Sequence, residues 1–570
     1  MELDDIRAWD LYALEQLEDS LSRRIETVAD VQLQLADIGR LPAWLSEAGE
    51  VARRRFQVTA DDLTDEAAAL SAVGECARQT REAVAHLKTE LADIEADAAA
   101  DGMQVDDSGA VKVVDTAERS PEEAEAREQR RVELEARAKA LILQAEDVSA
   151  DAAQVLNKAA EGKIDDHGAT TIDAAAAAGV SQGSLSAPAP PADAATNPAA
   201  ANGYWQAMPD WQRAEVIAKH PEWVGNLDGV PSQARHDANI ARIGTERERL
   251  EHERDELQRK LDENVFGGTF TNDDAALWYT EQKLKDLDKL EELAKSNSDF
   301  SIMYMDMTGE LGKAAFAIGD PDTADHISVT TPGLNTTVNG SFESMSQEAR
   351  GLRDLSMREL NRSPDHNGEN VATIGWLGFE APNAVGPGNF DSGRGWHDVA
   401  SELKASEAAP RLAQFLEGLE VASHEVDGAD KNPHITAVGH SYGSLVTGLA
   451  LGEPGEAADD MVVYGSPGIS ADKTEQLGIE HGHGYTMLGD ADDLIDVPAL
   501  VERFGPDPHT NPNFTHLSTD PGTTSDGILR EGAHTHADYP RTGSDGETLR
   551  ISGYNIAAVV AGLPELAVRE

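Results

Sequence analysis

The stretch ITAVGHSYGSLVTGLAL, Ile435 to Leu451, constrains the fold of this chain more than any other. Ile435–Val438 reads as a buried strand, Gly439-His440-Ser441-Tyr442-Gly443 as a tight turn, and Ser444–Leu451 carries helical periodicity. A serine between two glycines at a strand-to-helix turn is the arrangement that lifts a nucleophilic hydroxyl out of a sheet. The glycines are required sterically, because a Cβ on either side of the serine would meet neighbouring strand or helix backbone. The helix N-terminus behind the serine favours negative charge developing there.

The surrounding sequence supplies the sheet that such a turn needs. From about Phe300 onward, short apolar or β-branched runs (HISVTTPGLN, NVATIGWLGF, HITAVGHS, MVVYGSPG, GYTMLGD) alternate with helical patterns and Gly/Pro/Asp turns. That alternation predicts βαβ units and a mostly parallel sheet flanked by helices.

A serine hydroxyl is a weak nucleophile until a base takes its proton, and the base needs an orienting acid. With such a turn the acid and then the histidine follow the serine along the chain. GYTMLGD runs into ADDLID, which offers Asp490, Asp492, Asp493 and Asp496 at a strand end; Asp493 is the acid expected, with Asp490 second. Six histidines follow the serine. His481 and His483 precede the acid strand and His509 stands in a Pro-rich loop, whereas GAHTHADYP is a late loop before the final helical pattern. His536 is therefore the expected base, with His534 second. The oxyanion hole is expected from the N–H of Tyr442 and one from VTTPGLNTT, where Gly333 allows a close approach and Leu334 or Asn335 donates. His534-x-His536 lacks the carboxylate or thiolate spacing of a metal site, and no metal or organic cofactor is expected.

AIGDPDTADHISVTTPGLNTT, IGWLGFEAP, VGHSYGSLVTGLAL, VYGSPG and HADYP together resemble the actinobacterial α/β-hydrolase-like family long catalogued as a domain of unknown function, over about Phe316 to Leu563. The resemblance implies a serine-hydrolase fold with Ser441 as nucleophile, Asp493 in DDLI as acid and His536 in HADY as base. It also suggests that Trp376 lines the site, a core role being its alternative; Asn335 and His440 are further candidate lining residues.

The other half of the chain reads differently. Ile6, Trp9, Leu14, Leu17, Leu21 and Ile25 form one stripe of an amphipathic helix, and alanine-rich acidic stretches continue to about Gly162 with no strand-like alternation. These helices are expected as a bundle or hairpins over 1–165 and are weakly similar to the small helical WXG proteins of type VII secretion, with Trp9-Asp10-Leu11 where Trp-x-Gly would stand. Residues 181–202, SQGSLSAPAPPADAATNPAAAN, read as an Ala/Pro-rich linker. A helical lead-in follows over 203–298, including the charged GTERERLEHERDELQRKLDEN, in which Ile243, Leu250 and Leu257 fall seven apart as in a coiled coil with mostly charged d positions. The α/β-hydrolase domain is expected over 299–570.

Charge and composition narrow the partners. With 47 basic and 104 acidic residues the formal net charge is −57, which repels nucleic acid and anionic lipid. The single cysteine, Cys76, permits no internal disulfide. The first thirty residues lack the basic start and apolar core of a secretory signal, and no apolar run is long enough for a membrane span. The expected location is cytoplasmic, with export by a signal-peptide-independent route as the alternative. The function expected is esterase- or lipase-like hydrolysis of a small-molecule or lipid ester through an acyl-enzyme. The rival is a helical interaction or secretion-associated protein that binds a protein partner through its N-terminal half and carries a catalytically weak α/β scaffold.

Overall fold

The computed structural model describes residues 1–39, 46–115, 117, 119–263, 272–382, 402–427, 432–455, 457–492 and 504–570. The chain divides into two units, one of Met1–Ala194 with Gly203–Val216 and one of Ala195–Asn202 with Ile217–Glu570. No described helix is long and apolar enough to cross a membrane.

The first unit is built from helices α1 (Leu3–Ala8), α2 (Leu11–Gly39), α3 (Glu47–Ala100), α4 (Pro121–Ala160) and α5 (Ile172–Gly183). The single early helix expected through Ile6 and Trp9 is broken there. Trp9 is extended at φ −60°, ψ 133°, and Asp10 Oδ1 accepts the N–H groups of Tyr12 and Ala13, so a new helix starts behind an aspartate cap. A short hairpin, β1 (Met103–Val105) with β2 (Val111–Val113), interrupts the expected all-helical run. Its turn is closed by Asp106 Oδ1, which accepts from the N–H groups of Ser108 and Ala110. Small residues let two helices approach closely: a Cβ on Gly179 or Gly183 of α5 would fall 2.0 Å from Ala68 O or 2.1 Å from Ala72 O on α3. In the Ala/Pro-rich stretch, Leu185 N–H donates to Gln79 Oε1 and Ser186 N–H to Asp151 Oδ2. Helices α6 (Pro198–Ala207) and α7 (Asp210–Lys219) span the residues where the division falls.

In the second unit α8 (Ser232–Glu263) and α9 (Asn272–Ser296) precede the sheet. Ile243, Leu250 and Leu257, the residues seven apart, are buried along one edge of α8, and Leu287, Leu290 and Leu293 are buried on α9. The sheet strands are β3 (Phe300–Asp306), β4 (Lys313–Ile318), β5 (His326–Thr331), β6 (Val371–Leu377), β7 (His434–His440), β8 (Asp460–Tyr464), β9 (Gly484–Met487) and β10 (Thr515–His516). They run in the order β10-β9-β8-β7-β5-β6-β4-β3, parallel from β10 to β6 and antiparallel at β4 and β3.

Helices α10 (Val338–Arg362), α11 (Leu403–Asp427), α12 (Tyr442–Leu451) and α13 (Ile551–Val560) cover both faces. Ile435, Ala437, Met461 and Val463 pack in one cluster with Phe415 and Leu416 of α11 and Leu445 of α12. Val438, Val462, Tyr464 and Tyr485 pack in the other with Leu352 of α10 and Tyr554 of α13. Alternate strand residues thus enter opposite layers, which is why these strands read as nearly unbroken apolar runs. The chain reverses its direction of travel across the sheet between β5 and β7, which opens a crevice at their carboxyl ends.

Phe342 on α10 is fully buried and meets Phe316 of β4 edge-on, ring centres 5.1 Å apart. Phe342→Ala is expected to cost about 3–5 kcal/mol in the urea transition of this unit. A cost below about 1 kcal/mol would contradict that packing.

Candidate active site

Ser441 is held at φ +54°, ψ −127° between β7 and α12 and is 7% exposed. A non-glycine residue there is strained, so surrounding bonds must fix it. Its N–H donates to Tyr464 O at 3.1 Å, and its carbonyl accepts the Ser444 hydroxyl at 2.6 Å. The glycines meet the steric demand anticipated for them. A Cβ on Gly439 would lie 2.6 Å from Ser444 Cα, and one on Gly443 would lie 2.1 Å from Thr331 O. The first turn of α12 therefore rests on the end of β5. The loop that follows β5 passes over the serine, where a Cβ on Gly333 would lie 3.1 Å from Ser441 Oγ.

His536 meets a carboxylate from the loop after β9. Its Nδ1 lies 2.9 and 3.0 Å from the two oxygens of Asp492. Asp493, the acid expected from sequence, lies outside the described residues, as does Asp496. The runners-up Asp490 and His534 pair with each other instead, at 2.7 Å on the surface. Since Asp492 accepts at Nδ1, that nitrogen carries the proton and Nε2 is left as the basic one. Burial pushes the Asp492 carboxyl up, but bonds from His536 and from the Tyr539 hydroxyl outweigh it and hold it below its ordinary value.

Tyr539 donates to Asp492 Oδ2 at 2.6 Å and accepts the Gly489 N–H at 2.9 Å, so its only proton is committed to the carboxylate. Gly465, at φ +54° after β8, makes room for the pair: a Cβ there would be 2.9 Å from Asp492 Oδ2 and 3.0 Å from His536 Nδ1. Neither residue was assigned a role from sequence. Their signals are the tyrosine three positions after His536 and the glycine that directly follows a strand.

The other candidate residues fall into place around this group. His440 Nε2 donates to the His536 carbonyl at 3.0 Å, and its ring packs 4.7 Å from His536 and 4.9 Å from Tyr464. Burial, reinforced by the neighbouring His536, pushes its pKa down to about 3, so His440, the residue before the serine, is a neutral strut to the loop that carries His536. Trp376 is 2% exposed between Phe379 and Phe415, a core position. The Tyr442 ring is equally buried against Phe379 and Phe504, and its hydroxyl accepts the Ala405 N–H. Asn335, at φ +60°, donates its N–H to Pro382 O at 3.0 Å. Leu334 N–H has no acceptor among the described residues.

Removing the Tyr539 hydroxyl leaves the Gly489 N–H and one Asp492 oxygen short of a partner. Tyr539→Phe is expected to cost about 1–3 kcal/mol in urea unfolding at neutral pH. A carboxylate with a depressed pKa adds stability above its unfolded pKa and loses it as pH falls through the folded value. The variant, with less depression, should begin acid unfolding at a higher pH than wild type. An unchanged acid limb would contradict the role given to the phenol.

Residues 308–502 match a family model described as alpha/beta hydrolase. An uncharacterized protein of Mycobacterium bovis is 36% identical over 280 residues, 48% of this chain and 97% of that protein. An uncharacterized Mycobacterium tuberculosis protein matches to the same extent. A second from that species is 29% identical over 370 residues, 60% of this chain and 53% of its own. No solved structure matches. With the strand-to-helix serine, the parallel sheet and a relative matched along nearly its whole length, the chain belongs to the alpha/beta hydrolase family.

Proposed function

We propose that the chain is a serine hydrolase of esterase type, with Ser441 as nucleophile, His536 as base and Asp492 as the acid that orients it. The observation that carries this reading is the Asp492–His536 pair, whose imidazole packs 4.7 Å from His440, the residue just before a serine strained at the end of β7, with the three residues in the order Ser, Asp, His along the chain. In this reading Ser441 Oγ attacks an ester carbonyl and His536 Nε2 takes the hydroxyl proton, then passes it to the leaving alcohol. Asp492 keeps the Nδ1 proton in place and offsets the imidazolium charge. The N–H groups of Tyr442 and Leu334 stabilise the oxyanion. Water then attacks the acyl-enzyme, with His536 again as base. An ester is favoured over an amide because its alcohol leaves more readily than an amine.

The rival docking role draws support from the first unit, where Tyr12, Leu33, Val51 and Val58 on α2 and α3 are each more than half exposed. That role can coexist with hydrolysis.

A fluorophosphonate probe tests the proposal directly. Wild type should be labelled, Ser441→Ala and His536→Ala should not, and Asp492→Asn should slow labelling by about 10²–10⁴-fold. Asp493→Asn should label as wild type does. Slow labelling of Asp493→Asn with normal labelling of Asp492→Asn would move the acid to Asp493, and an unlabelled, folded wild type would sink the mechanism.

A further inference from the structure

The parallel strands carry a second group of titratable side chains at their amino ends, opposite the end that holds Ser441. His326 opens β5, His434 opens β7 and Asp460 opens β8, with His326 and His434 in register. Six side chains form a continuous chain across these strands. His366 Nδ1 lies 3.0 Å from Glu369 Oε2, and that same oxygen lies 2.8 Å from His326 Nε2. His326 Nδ1 faces His434 Nδ1 at 3.2 Å. His434 Nε2 lies 2.7 Å from Asp460 Oδ2, and His483 Nδ1 lies 2.8 Å from Asp460 Oδ1.

An ionised carboxylate only accepts, so with Glu369 and Asp460 both ionised the protons stand on His326 Nε2 and His434 Nε2. If both rings were neutral, two bare Nδ1 lone pairs would face each other at 3.2 Å. If both were charged, two N–H groups would collide. Only one extra proton makes that contact a hydrogen bond.

We propose that His326 and His434 form a part-buried binding site for a single proton, held between their Nδ1 atoms, that ties the amino ends of β5, β7 and β8 together. The inference is independent of the hydrolase reading. The proton resides on His434, which has the better surroundings for charge. Burial opposes its charged form, but Asp460, Asp459 and the Val560 carbonyl at the end of α13 outweigh burial and raise its pKa. His326 is lowered, by burial first and then by the charge on His434, against the pull of Glu369 and Asp325. His366 shares Glu369, His483 shares Asp460, Glu480 lies 3.8 Å from His483, and the charge of Asp460 also acts on Tyr485 of β9.

The sign of the pH dependence follows. Each unfolded histidine titrates near about pH 6.5, where an unfolded pair holds one proton, as the folded pair does. Above that pH the folded state holds more protons than the unfolded, so stability falls as pH rises through the raised pKa of His434. Below it the unfolded state binds the second proton, so stability falls as pH drops toward the lowered pKa of His326. The pair therefore contributes a stability maximum rather than a one-sided limb.

Two measurements on the full chain test this. Histidine C2 hydrogen–deuterium exchange read by mass spectrometry should place the midpoints of His434 and His326 on opposite sides of about 6.5. Midpoints displaced in the same direction, or both at the ordinary value, would overturn the proposal. In melting temperature against pH, wild type minus the double variant His326→Gln/His434→Gln should give a bell. His434→Gln alone should remove the alkaline limb and His326→Gln alone the acid limb, whereas a flat difference would overturn the proposal. If the variants do not fold, the exchange measurement decides by itself. Wild type treated with a chelator should behave identically, and a curve changed by chelation would assign the two nitrogens to a metal and overturn the proposal.

Discussion

The close approach of α12 to the end of β5 is the constraint on which the Ser441 end of the sheet depends. The Gly443 backbone presses on the carbonyls of Thr331 and Pro332, and no side chain larger than hydrogen fits there. That contact forces the chain to turn within one residue, and the residue left to absorb the turn is Ser441 at positive φ. The strain is tolerated because the flanking elements are buried and hydrogen-bonded. The hydroxyl thereby comes to the crevice where the strand order reverses.

The groups around this serine come from the carboxyl ends of neighbouring strands and from the loop before α13, which carries His536 and Tyr539. β5 leads to Gly333, β7 to Ser441, β8 to Gly465 and β9 to Gly489 and Asp492. Gly489 N–H donates to the Tyr539 hydroxyl, Tyr539 and His536 donate to Asp492, and His440 Nε2 donates to the His536 carbonyl. The amino ends of the same strands carry an almost purely titratable chain, so a single sheet has two chemically distinct edges.

How much was legible in the sequence differs by element. The Ser441 turn was legible because its glycines, strand and helix are local and each has one steric reason. That a histidine of the late loop meets a carboxylate of ADDLID was legible from chain order. Which aspartate it meets was harder to read, since ADDLID offers several and only the facing loop selects among them; the described partner of His536 is Asp492. Matching spacing held the clue, as Asp490 and Asp492 are two apart and so are His534 and His536. Trp376 ends an apolar strand, and its surroundings in the core come from residues distant in sequence. The helix break at Asp10 was locally readable as a cap but is masked by an apolar stripe that continues in phase across it.

The loops after β9 and before α13 form a two-runged ladder, Asp490 with His534 outside and Asp492 with His536 inside. Two like rungs would allow one loop to slip by a step and marry the wrong partners. The Tyr539 phenol breaks the degeneracy, since it bonds to the inner aspartate and to the Gly489 N–H just before the outer one. Tyr539 is the key that admits only one alignment of the two loops.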